Sequence, residues 1–134
     1  MSITIREYTH YNESEILPLY ESAGWIAYTR DPELLRRAYE NSLTALASYE
    51  DGKLIGVLRA VGDGLTIVFV QDLLVLPAHR RKGAGSALLR AVRDKFSSVR
   101  QLQLTCDDSP ELATFYESQG LRPLSALGMR GYMA

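Results

Sequence analysis

The stretch with the clearest chemical potential is Arg80-Arg81-Lys82-Gly83-Ala84-Gly85-Ser86, in which three cations precede two glycines and a hydroxyl. An apolar run ends just before it at Pro77, and a helical pattern of apolar residues begins at Gly83. The first turn of a helix carries free backbone N–H groups and a partial positive charge, and glycine lets an anion approach them closely. The stretch therefore predicts a pyrophosphate site, with a tight strand-to-helix turn bearing solvated cations as the alternative.

The sequence matches neither of two known phosphate-loop motifs in full. A Walker loop needs GxxxxGK[ST], but the dipeptide Gly52-Lys53 is followed by Leu54. A dinucleotide fingerprint needs GxGxxG, and Leu88 occupies the place of its third glycine. Asp107 nevertheless ends the next predicted strand, where a ribose-binding acid would lie. A nucleotide-binding protein of another fold therefore stays open as an alternative.

Three acids and one thiol could take part in proton or acyl transfer. Asp72 interrupts the apolar run LTIVFVQDLLVL, where a carboxylate could accept a proton directly or through water; a salt bridge or an edge hydrogen bond is the alternative. Asp107 and Asp108 are further candidates for the base, although helix capping already explains Asp108. For Cys106 we expect a small buried thiol, with a covalent acyl-cysteine as the alternative.

Two aromatic residues suggest where an acceptor molecule could bind. Trp25 and Tyr28 lie between the first two predicted helices, where they could form the wall of a pocket. Core packing or contact with a partner explains them equally well. The two histidines, His10 and His79, show no spacing with acids or cysteine that is typical of metal ligands, so we expect no metal.

Periodicity and turn residues predict the elements that must position these groups. Three strand-like runs over 44–50, 53–62 and 65–76 are separated by Asp51-Gly52 and Gly62-Asp63-Gly64, which are typical hairpin sequences. Ahead of these runs we predict a strand over 2–8, a helix opened by a capping box of Asn12 and Glu15, and a helix opened by Asp31-Pro32.

The second half of the chain adds one crossover and a tail. A helix over 83–96 joins strand 65–76 to a strand over 100–106, and this is the only parallel connection we expect. A helix opened by Ser109 and a last strand around Met129 complete the order β-α-α-β-β-β-α-β-α-β. The pattern predicts an α+β fold with a mixed, mostly antiparallel sheet and helices on both faces.

Composition and charge limit the function classes. A chain of 134 residues with 46% hydrophobic and 23% charged residues is most simply one domain, 1–134. A net charge of −1 argues against a general nucleic-acid binder, although segment 79–100 carries seven Lys/Arg and one acid. No apolar run approaches the roughly 18–20 residues of a membrane span, and MSITIREYTH lacks an apolar signal region. With its single cysteine, the sequence predicts a cytoplasmic protein without membrane or nucleic-acid partners.

Two motifs together resemble those of the GNAT acyl-CoA N-acyltransferases, in particular the small single-domain bacterial type. The segment Leu73–Gly85 resembles the family's signature motif, whose core [Q/R]xxGx[G/A] is matched by Arg80, Gly83 and Gly85. The segment Ser109–Leu121 resembles the family's second motif, a helix bearing Phe-Tyr followed by Gly-Phe. The predicted order of elements matches the family along essentially the whole chain.

The resemblance implies that the chain binds acetyl-CoA and passes its acetyl group to a primary amine by direct attack in a ternary complex. Backbone amides of residues 81–86 and the cations at 80–82 would take the phosphates. The strand at Leu73-Leu74-Val75 would separate from strand 100–106 and pair with the pantetheine amides. Ser109 stands where the family often has asparagine, next to the cofactor, and it can also cap its helix.

The same resemblance gives Tyr116 the part of general acid toward the departing sulfur. An unperturbed phenol is protonated at neutral pH and ready to donate, whereas core packing beside Phe115 is the alternative. The acceptor would be a small molecule or a protein amine, and Trp25 with Tyr28 favours aromatic or apolar amines. The family also suggests a homodimer through the tail strands. A non-catalytic acyl-CoA-binding regulatory module is the second functional alternative.

Overall fold

The structure, a computed structural model, describes residues 2–134. The chain divides into two compact units, the first ending at Leu104 and the second comprising Thr105–Ala134. This division into compact units does not test the prediction of a single domain over 1–134, which stays a prediction. None of the helices within residues 2–134 is both long and apolar enough to cross a membrane.

The first unit is built on a sheet of five strands, which are β1 (Ile3–Glu7), β2 (Thr44–Glu50), β3 (Lys53–Gly62), β4 (Ile67–Val75) and β5 (Gln101–Leu104). The strands lie in the order β1-β2-β3-β4-β5. Neighbouring strands are antiparallel except β4 and β5, which are parallel. This arrangement confirms the predicted mixed, mostly antiparallel sheet with one parallel connection.

The helices follow the predicted order with one addition. A single-turn helix, α2 (Ile26–Thr29), occupies the segment that we expected to be a loop between the first two helices. The two units also contain short 3₁₀ turns at Pro77–His79 and Leu124–Leu127. The α-helices are α1 (Glu13–Ser22), α2 (Ile26–Thr29), α3 (Pro32–Glu40) and α4 (Ala84–Lys95) in the first unit and α5 (Pro110–Ser118) in the second.

Both faces of the sheet are covered. Residues 54–60 of β3 are all buried, and since successive strand side chains point to opposite faces, each face must have a layer over it. On one face, a core cluster joins side chains of α1 and α3 to Val57 and Leu74. The buried side of α4, which includes Leu88 and Val92, covers the other face, where α4 contacts chiefly β2 and β3. This confirms the predicted helices on both faces.

The turn residues act as their types predict. Asp51 and Gly52 both have positive φ, 51° and 79°, which suits the tight connection between β2 and β3. At the next turn, the Asp63 carboxylate accepts hydrogen bonds from the backbone N–H groups of Leu65, Thr66 and Ile67 at 2.8–3.0 Å. One side chain therefore organises the connection between β3 and β4.

The start of α1 differs from the predicted capping box. The Asn12 side chain accepts from the N–H of Ser14 at 3.1 Å, as an N-cap should. Glu15 does not reach back to the Asn12 backbone, because the Tyr8 hydroxyl lies there instead. That hydroxyl accepts from the Asn12 N–H at 2.9 Å and donates to Glu15 at 3.2 Å. A tyrosine of the preceding segment thus links the two residues of the expected box.

The end of the chain is the main departure from the predicted fold. The sheet ends with β5 at Leu104, two residues earlier than expected, and residues 128–134 form no strand. Gly128 has a φ of 73° and breaks the extended pattern, and no strand within residues 2–134 pairs with the tail. A strand needs a neighbour for its backbone groups, so apolar alternation alone gave a wrong prediction here.

Candidate active site

The strands β4 and β5 pair over a short distance only. Their register runs from Ile67 opposite Gln101 to Val70 opposite Leu104, where β5 ends. β4 continues to Val75 and stays paired with β3 on its other side. Within residues 2–134, the β5-facing edge of Gln71–Val75 therefore has no strand partner. Such an edge can hydrogen-bond to an extended ligand in the way that an added strand does.

A bulge sits where β4 leaves β5. Arg59 is opposite Asp72 and Ala60 is opposite Val70, so Gln71 is the extra residue. Arg59 and Ala60 point to opposite faces of β3, and cross-strand partners share a face. Val70 and Asp72 therefore point to opposite faces although they are two residues apart. The bulge turns Asp72 toward the face that α1 and α3 cover.

The segment after β4 forms an open cradle at the start of α4. Gly83 has a φ of 88°, and a Cβ there would meet no atom within 4 Å. No side chain caps α4, whose first-turn N–H groups, including those of Ala84 and Gly85, have no intrahelical carbonyl to bind. Arg81 also has positive φ, at 64°. Left-handed residues ahead of a helix produce concave sets of N–H groups that bind anions. The cradle therefore suits a phosphate.

The cations Arg80 and Lys82 contact other parts of the protein. The Nε of Arg80 donates to the carbonyl oxygen of Val75 at 3.2 Å, which ties the cradle to the end of β4. The Nζ of Lys82 donates to Oε1 of the buried Glu50 at 3.5 Å. Both charges lie in the segment that leads to the uncapped helix, and their binding to a phosphate stays a prediction.

Asp72 lies in a buried network of polar side chains. Its exposed fraction is 2%, and its Oδ2 accepts from Nε of Arg59 at 2.7 Å and from the hydroxyl of Tyr20 at 2.8 Å. Its Oδ1 accepts from the hydroxyl of Tyr28 at 3.3 Å. Because Tyr20 donates to Asp72, the 2.9 Å contact between Tyr20 and Tyr39 must be donated by Tyr39. The salt bridge that the sequence left open for Asp72 is present.

Burial and pairing fix the protonation of this network. Burial lowers the pKa of Arg59, but the charge and hydrogen bond of Asp72 outweigh it and raise the pKa overall. Burial raises the pKa of the Tyr20 hydroxyl well above its ordinary value, and the charges of Tyr39 and Asp72 act in the same direction. The network therefore contains a permanently charged Arg59 and a tyrosine that keeps its proton. The role of Asp72 as general base stays a prediction.

The two residues expected at the acceptor side are brought together by the structure. The rings of Trp25 and Tyr28 lie 6.1 Å apart, and both pack against the ring of Tyr20, at 6.0 and 5.1 Å. Each is half-buried, so one side is packed and part of each ring stays accessible. Ile26, beside them on α2, is 67% exposed. The Tyr28 hydroxyl links this aromatic cluster to Asp72 on β4.

The second unit contains the expected general acid. Tyr116 lies on α5, its ring 5.0 Å from that of Phe115, and burial, followed by the nearby Cys106, raises its pKa to about 12. The Ser109 side chain accepts from the N–H of Leu112 at 3.1 Å, so it caps α5 as predicted. Any contact of Ser109 or Tyr116 with a cofactor stays a prediction.

Cys106 differs from its expected environment. It lies beyond the end of β5 and is exposed, so the expected buried thiol is wrong. Its pKa is raised, first by partial loss of solvation and then by Asp107 and Asp108. Reaction as a nucleophile needs the thiolate, which a raised pKa disfavours.

Three contributors to the site were missed from the sequence. Arg59 could have been found, because it is the only charged residue in the interior of β3 and the hairpin register places it opposite Asp72. Tyr20 looked like one more apolar position of α1. Glu50 ends a strand beside a turn, where an acid is ordinary. Contacts between segments distant in sequence give both residues their roles, and no local pattern records them.

A surface groove of about 610 Å³ lies elsewhere, along β1 and the start of α1. None of the predicted catalytic or binding residues lines it. No cluster of His, Cys, Asp or Glu within residues 2–134 could hold a metal ion. The groove is lined by Arg6, Glu7, Tyr8, Thr9, His10, Tyr11, Asn12, Glu13, Glu15 and Tyr49.

Comparison with curated proteins finds a mycothiol acetyltransferase of Kineococcus radiotolerans. It is 40% identical over 74 residues, which are 54% of this chain and 24% of that protein. The chain thus spans about a quarter of the length of this relative. The similarity concerns only a part of that protein, and it indicates an acetyltransferase without indicating the substrate.

Family and structure comparisons cover nearly the whole chain. The family model described as an acetyltransferase (GNAT) domain matches residues 7–130. A GNAT-family acetyltransferase of Streptococcus pneumoniae is 33% identical, with a TM-score of 0.89 over 99% of this chain and 97% of that one. A ribosomal-protein-alanine N-acetyltransferase of Brucella melitensis shares the fold, with 22% identity and a TM-score of 0.79 over 100% and 99% of the two chains. The chain therefore belongs to the GNAT family of acetyltransferases and is an acyltransferase enzyme.

Proposed function

We propose that the protein transfers an acetyl group from acetyl-CoA to a primary amine by direct attack within a ternary complex. One observation carries this proposal. β4 leaves β5 after Val70, and its unpaired edge leads within about ten residues to the open, uncapped start of α4. An extended ligand with amide groups at one end and a pyrophosphate at the other would meet the edge of β4 with its amides and the start of α4 with its pyrophosphate.

The described residues fit coenzyme A on chemical grounds. Leu73 and Val75 direct their backbone N–H and C=O groups to the free edge of β4, where they would pair with the pantetheine amides, whereas Leu74 between them faces β3. The cradle formed by 81–86 offers N–H groups for the pyrophosphate. The carbonyl of Val75 already accepts from Arg80, so the ligand would use other groups of the edge.

The reaction needs groups that take one proton and supply another. Acetyl-CoA supplies an activated acyl group as a thioester. The amine nitrogen forms a bond to the carbonyl carbon while the carbon–sulfur bond breaks, so the nitrogen loses a proton and the sulfur gains one. A backbone N–H near Leu73 or Val75 would donate to the thioester oxygen as negative charge develops on it.

Tyr116 is the proposed donor to the sulfur. This assignment comes from its place in the Phe-Tyr motif, and its raised pKa of about 12 keeps it protonated at neutral pH. The same raised pKa makes the phenol a weaker acid than an ordinary thiol, whose pKa is about 8.5. Tyr116 would therefore donate its proton to the sulfur as the carbon–sulfur bond breaks, and the resulting phenolate, a stronger base than a thiolate, would regain a proton from water.

Asp72 is the proposed acceptor of the amine proton, directly or through water. A carboxylate offers about four lone-pair positions, and Arg59, Tyr20 and Tyr28 use three of them. The remaining position is on Oδ1, beside the hydroxyl of Tyr28. The half-buried Tyr28 is the member of the network through which a proton could reach this oxygen.

The acceptor class is proposed from the aromatic cluster. Trp25 and Tyr28 expose part of their rings beside the exposed Ile26, which favours an amine with an aromatic or apolar body. One similar protein is named a mycothiol acetyltransferase, and a protein of the same fold is named a ribosomal-protein-alanine N-acetyltransferase, so these names include both a small molecule and a protein. We propose a small primary amine for this chain.

Calorimetry with acetyl-CoA, NAD and ATP tests the cofactor directly. We expect the protein to bind acetyl-CoA but neither NAD nor ATP. We expect Gly85→Glu to abolish the binding of acetyl-CoA, because a carboxylate in the first turn of α4 occupies the place of the pyrophosphate and repels it. Gly131→Glu introduces the same side chain in the tail and serves as the matched control. Affinity like that of the wild type in a folded Gly85→Glu variant would contradict the assignment of residues 81–86.

Thiol release with a panel of amines then separates the functional alternatives. Binding without release would indicate the non-catalytic acyl-CoA-binding module. An acetyl group trapped on Cys106, together with loss of activity in Cys106→Ala, would replace direct transfer by a covalent route. The third alternative, a nucleotide-binding protein of another fold, is wrong because the sheet and its relatives are those of the GNAT family.

A further inference from the structure

The segment between β4 and α4 contacts a buried carboxylate. Glu50 is the last residue of β2 and is 6% exposed. Its Oε1 lies 3.3 Å from Nδ1 of His79 and 3.5 Å from Nζ of Lys82. One carboxylate oxygen therefore contacts two points of residues 76–83. These residues lead from β4 into the cradle of 81–86, and we call them the cradle segment.

The two contacts differ in kind. Lys82 donates a hydrogen bond to Glu50, whereas Nδ1 of His79 is buried at ion-pair distance without hydrogen-bond geometry. Burying a carboxylate is costly unless opposite charge or donors compensate it. A conformation of the cradle segment that brings the ammonium group of Lys82 to Glu50 is therefore favoured over one that leaves the carboxylate alone.

Other contacts hold the start of the segment. The N–H of Leu76 donates to the carbonyl of Ile55 at 2.8 Å, and Arg80 donates to Val75, so the start of the segment is tied to β3 and β4. Arg81 has a left-handed backbone, which is uncommon for a residue other than glycine. Such a conformation persists when its surroundings hold it in place. Glu50 contacts the residues on both sides of Arg80 and Arg81.

We infer that Glu50 is a positioning residue for coenzyme A. By holding His79 and Lys82, it fixes the cradle segment in the form that presents its backbone N–H groups to the phosphates. The inference rests on the proposed function, since coenzyme A is the ligand. If Glu50 positions the segment, its neutralisation should weaken the binding of coenzyme A. Electrostatic repulsion alone predicts tighter binding instead, because a carboxylate near an anion site repels the anion. The direction of the change in affinity therefore distinguishes positioning from simple charge.

Titration of coenzyme A into wild type and Glu50→Gln tests the inference. We expect the Kd to rise about tenfold although the variant has one negative charge fewer, because Lys82 loses the charge that holds it. At saturating acetyl-CoA, kcat should stay within about twofold, so the loss should appear in KM. Glu21→Gln, an exposed position on α1, makes the same charge change away from the cradle and should leave Kd unchanged.

The outcomes separate the inference from the proposed function. Unchanged or tighter binding by Glu50→Gln would overturn the positioning role while the wild type still binds coenzyme A. A wild type that does not bind coenzyme A would overturn the proposed function and the inference with it. Should Glu50→Gln not fold, His79→Leu removes one partner from the loop side, and an unchanged KM for acetyl-CoA in that variant would overturn the role.

A double-mutant cycle locates the effect. If Glu50 acts through Lys82, the combined variant Glu50→Gln/Lys82→Met should raise Kd by clearly less than the product of the two single effects. Independent effects that multiply in full would show that Glu50 does not act through Lys82 and would contradict the inference.

Discussion

At the scale of single residues, the proposed base and the proposed acid lie in different environments. Asp72 forms an ion pair with Arg59, and their exposed fractions are 2% and 5%, so a substitution of Asp72 should affect stability as well as activity. The raised pKa of Tyr116 keeps the proton on its hydroxyl at neutral pH, so a substitution of Tyr116 should affect chiefly activity.

Tyr116→Phe removes the proposed proton donor and leaves the ring. We expect kcat to fall by roughly 10²–10⁴, the usual loss for a general acid, while the Kd for acetyl-CoA changes little. Steady-state kinetics and calorimetry measure the two quantities. Tyr132→Phe, on the exposed tail, is the matched control and should behave as wild type. A Tyr116→Phe enzyme with undiminished kcat would assign Tyr116 to packing.

Asp72→Asn leaves Arg59 buried beside a neutral amide. Breaking a buried ion pair from one side costs about 3–5 kcal/mol, and we expect a decrease of that size in the free energy of unfolding. Urea denaturation measures it, with the exposed Asp94→Asn as the control. A decrease below about 1 kcal/mol would mean that the ion pair contributes little to stability. In the variant that remains folded, the pH dependence of kcat/KM tests the base, because loss of its acidic limb would identify Asp72 as that group.

At the scale of elements, β4 is the strand on which the site depends. It pairs with β5 at its start, bulges at Gln71 and ends tied to the cradle by Arg80. The β3–β4 turn determines where this strand begins, and the Asp63 carboxylate holds the turn. Hydrogen bonds from the backbone of Leu65 and then from the Thr66 side chain and further backbone N–H groups lower the pKa of Asp63 well below its usual range.

This lowered pKa predicts how the turn responds to acid. A carboxyl group whose pKa is depressed by folding stabilises the protein above its unfolded pKa of about 3.9, and the contribution is lost as the pH falls toward the folded value. We expect the stability of the wild type to decrease more steeply below about pH 4 than that of Asp63→Asn. Thermal unfolding between pH 2 and 7 measures this, with Asp94→Asn in parallel. Equal slopes for wild type and Asp63→Asn would contradict the role of the turn.

At the scale of the whole molecule, charge is distributed unevenly and the segment proposed to face the acceptor is aromatic. The segment 79–100 is strongly cationic in a chain of net charge −1, which favours an anionic ligand there. The segment 24–30, which carries Trp25 and Tyr28, has no acid and one charge, Arg30. A polycationic acceptor would need carboxylates at that place, so the two ligands are expected to differ in charge and polarity.

The acceptor preference follows from this distribution. We expect kcat/KM for tryptamine or phenethylamine to exceed that for spermidine at saturating acetyl-CoA, since ring contacts contribute about 0.5–1.5 kcal/mol beyond burial. Trp25→Ala should weaken the aromatic amines selectively, and Tyr132→Ala serves as the control for loss of an aromatic ring. If spermidine is the better substrate, or if Trp25→Ala affects all amines alike, Trp25 serves packing and protein amines become the acceptors to test.

The sequence by itself determined the features that depend on local chemistry. Hairpins at Asp51-Gly52 and around Asp63, helix caps at Asp31 and Ser109, and the glycine-rich start of α4 all follow from which backbone conformations and hydrogen bonds those residues favour. These preferences act within about four residues, so a linear pattern records them. The motif around Gly83 and Gly85 correctly indicated the family for the same reason.

Only the tertiary structure decided which distant residues share a site. The bulge at Gln71 turns Asp72 toward Arg59 and Tyr20, and the β2–β3 hairpin brings Glu50 to the cradle segment. The tail failed as a predicted strand because pairing needs a neighbour that its own residues do not specify. Buried charges and strand edges are stabilised by partners far away in sequence, and their roles therefore depend on register and packing, which no local pattern contains.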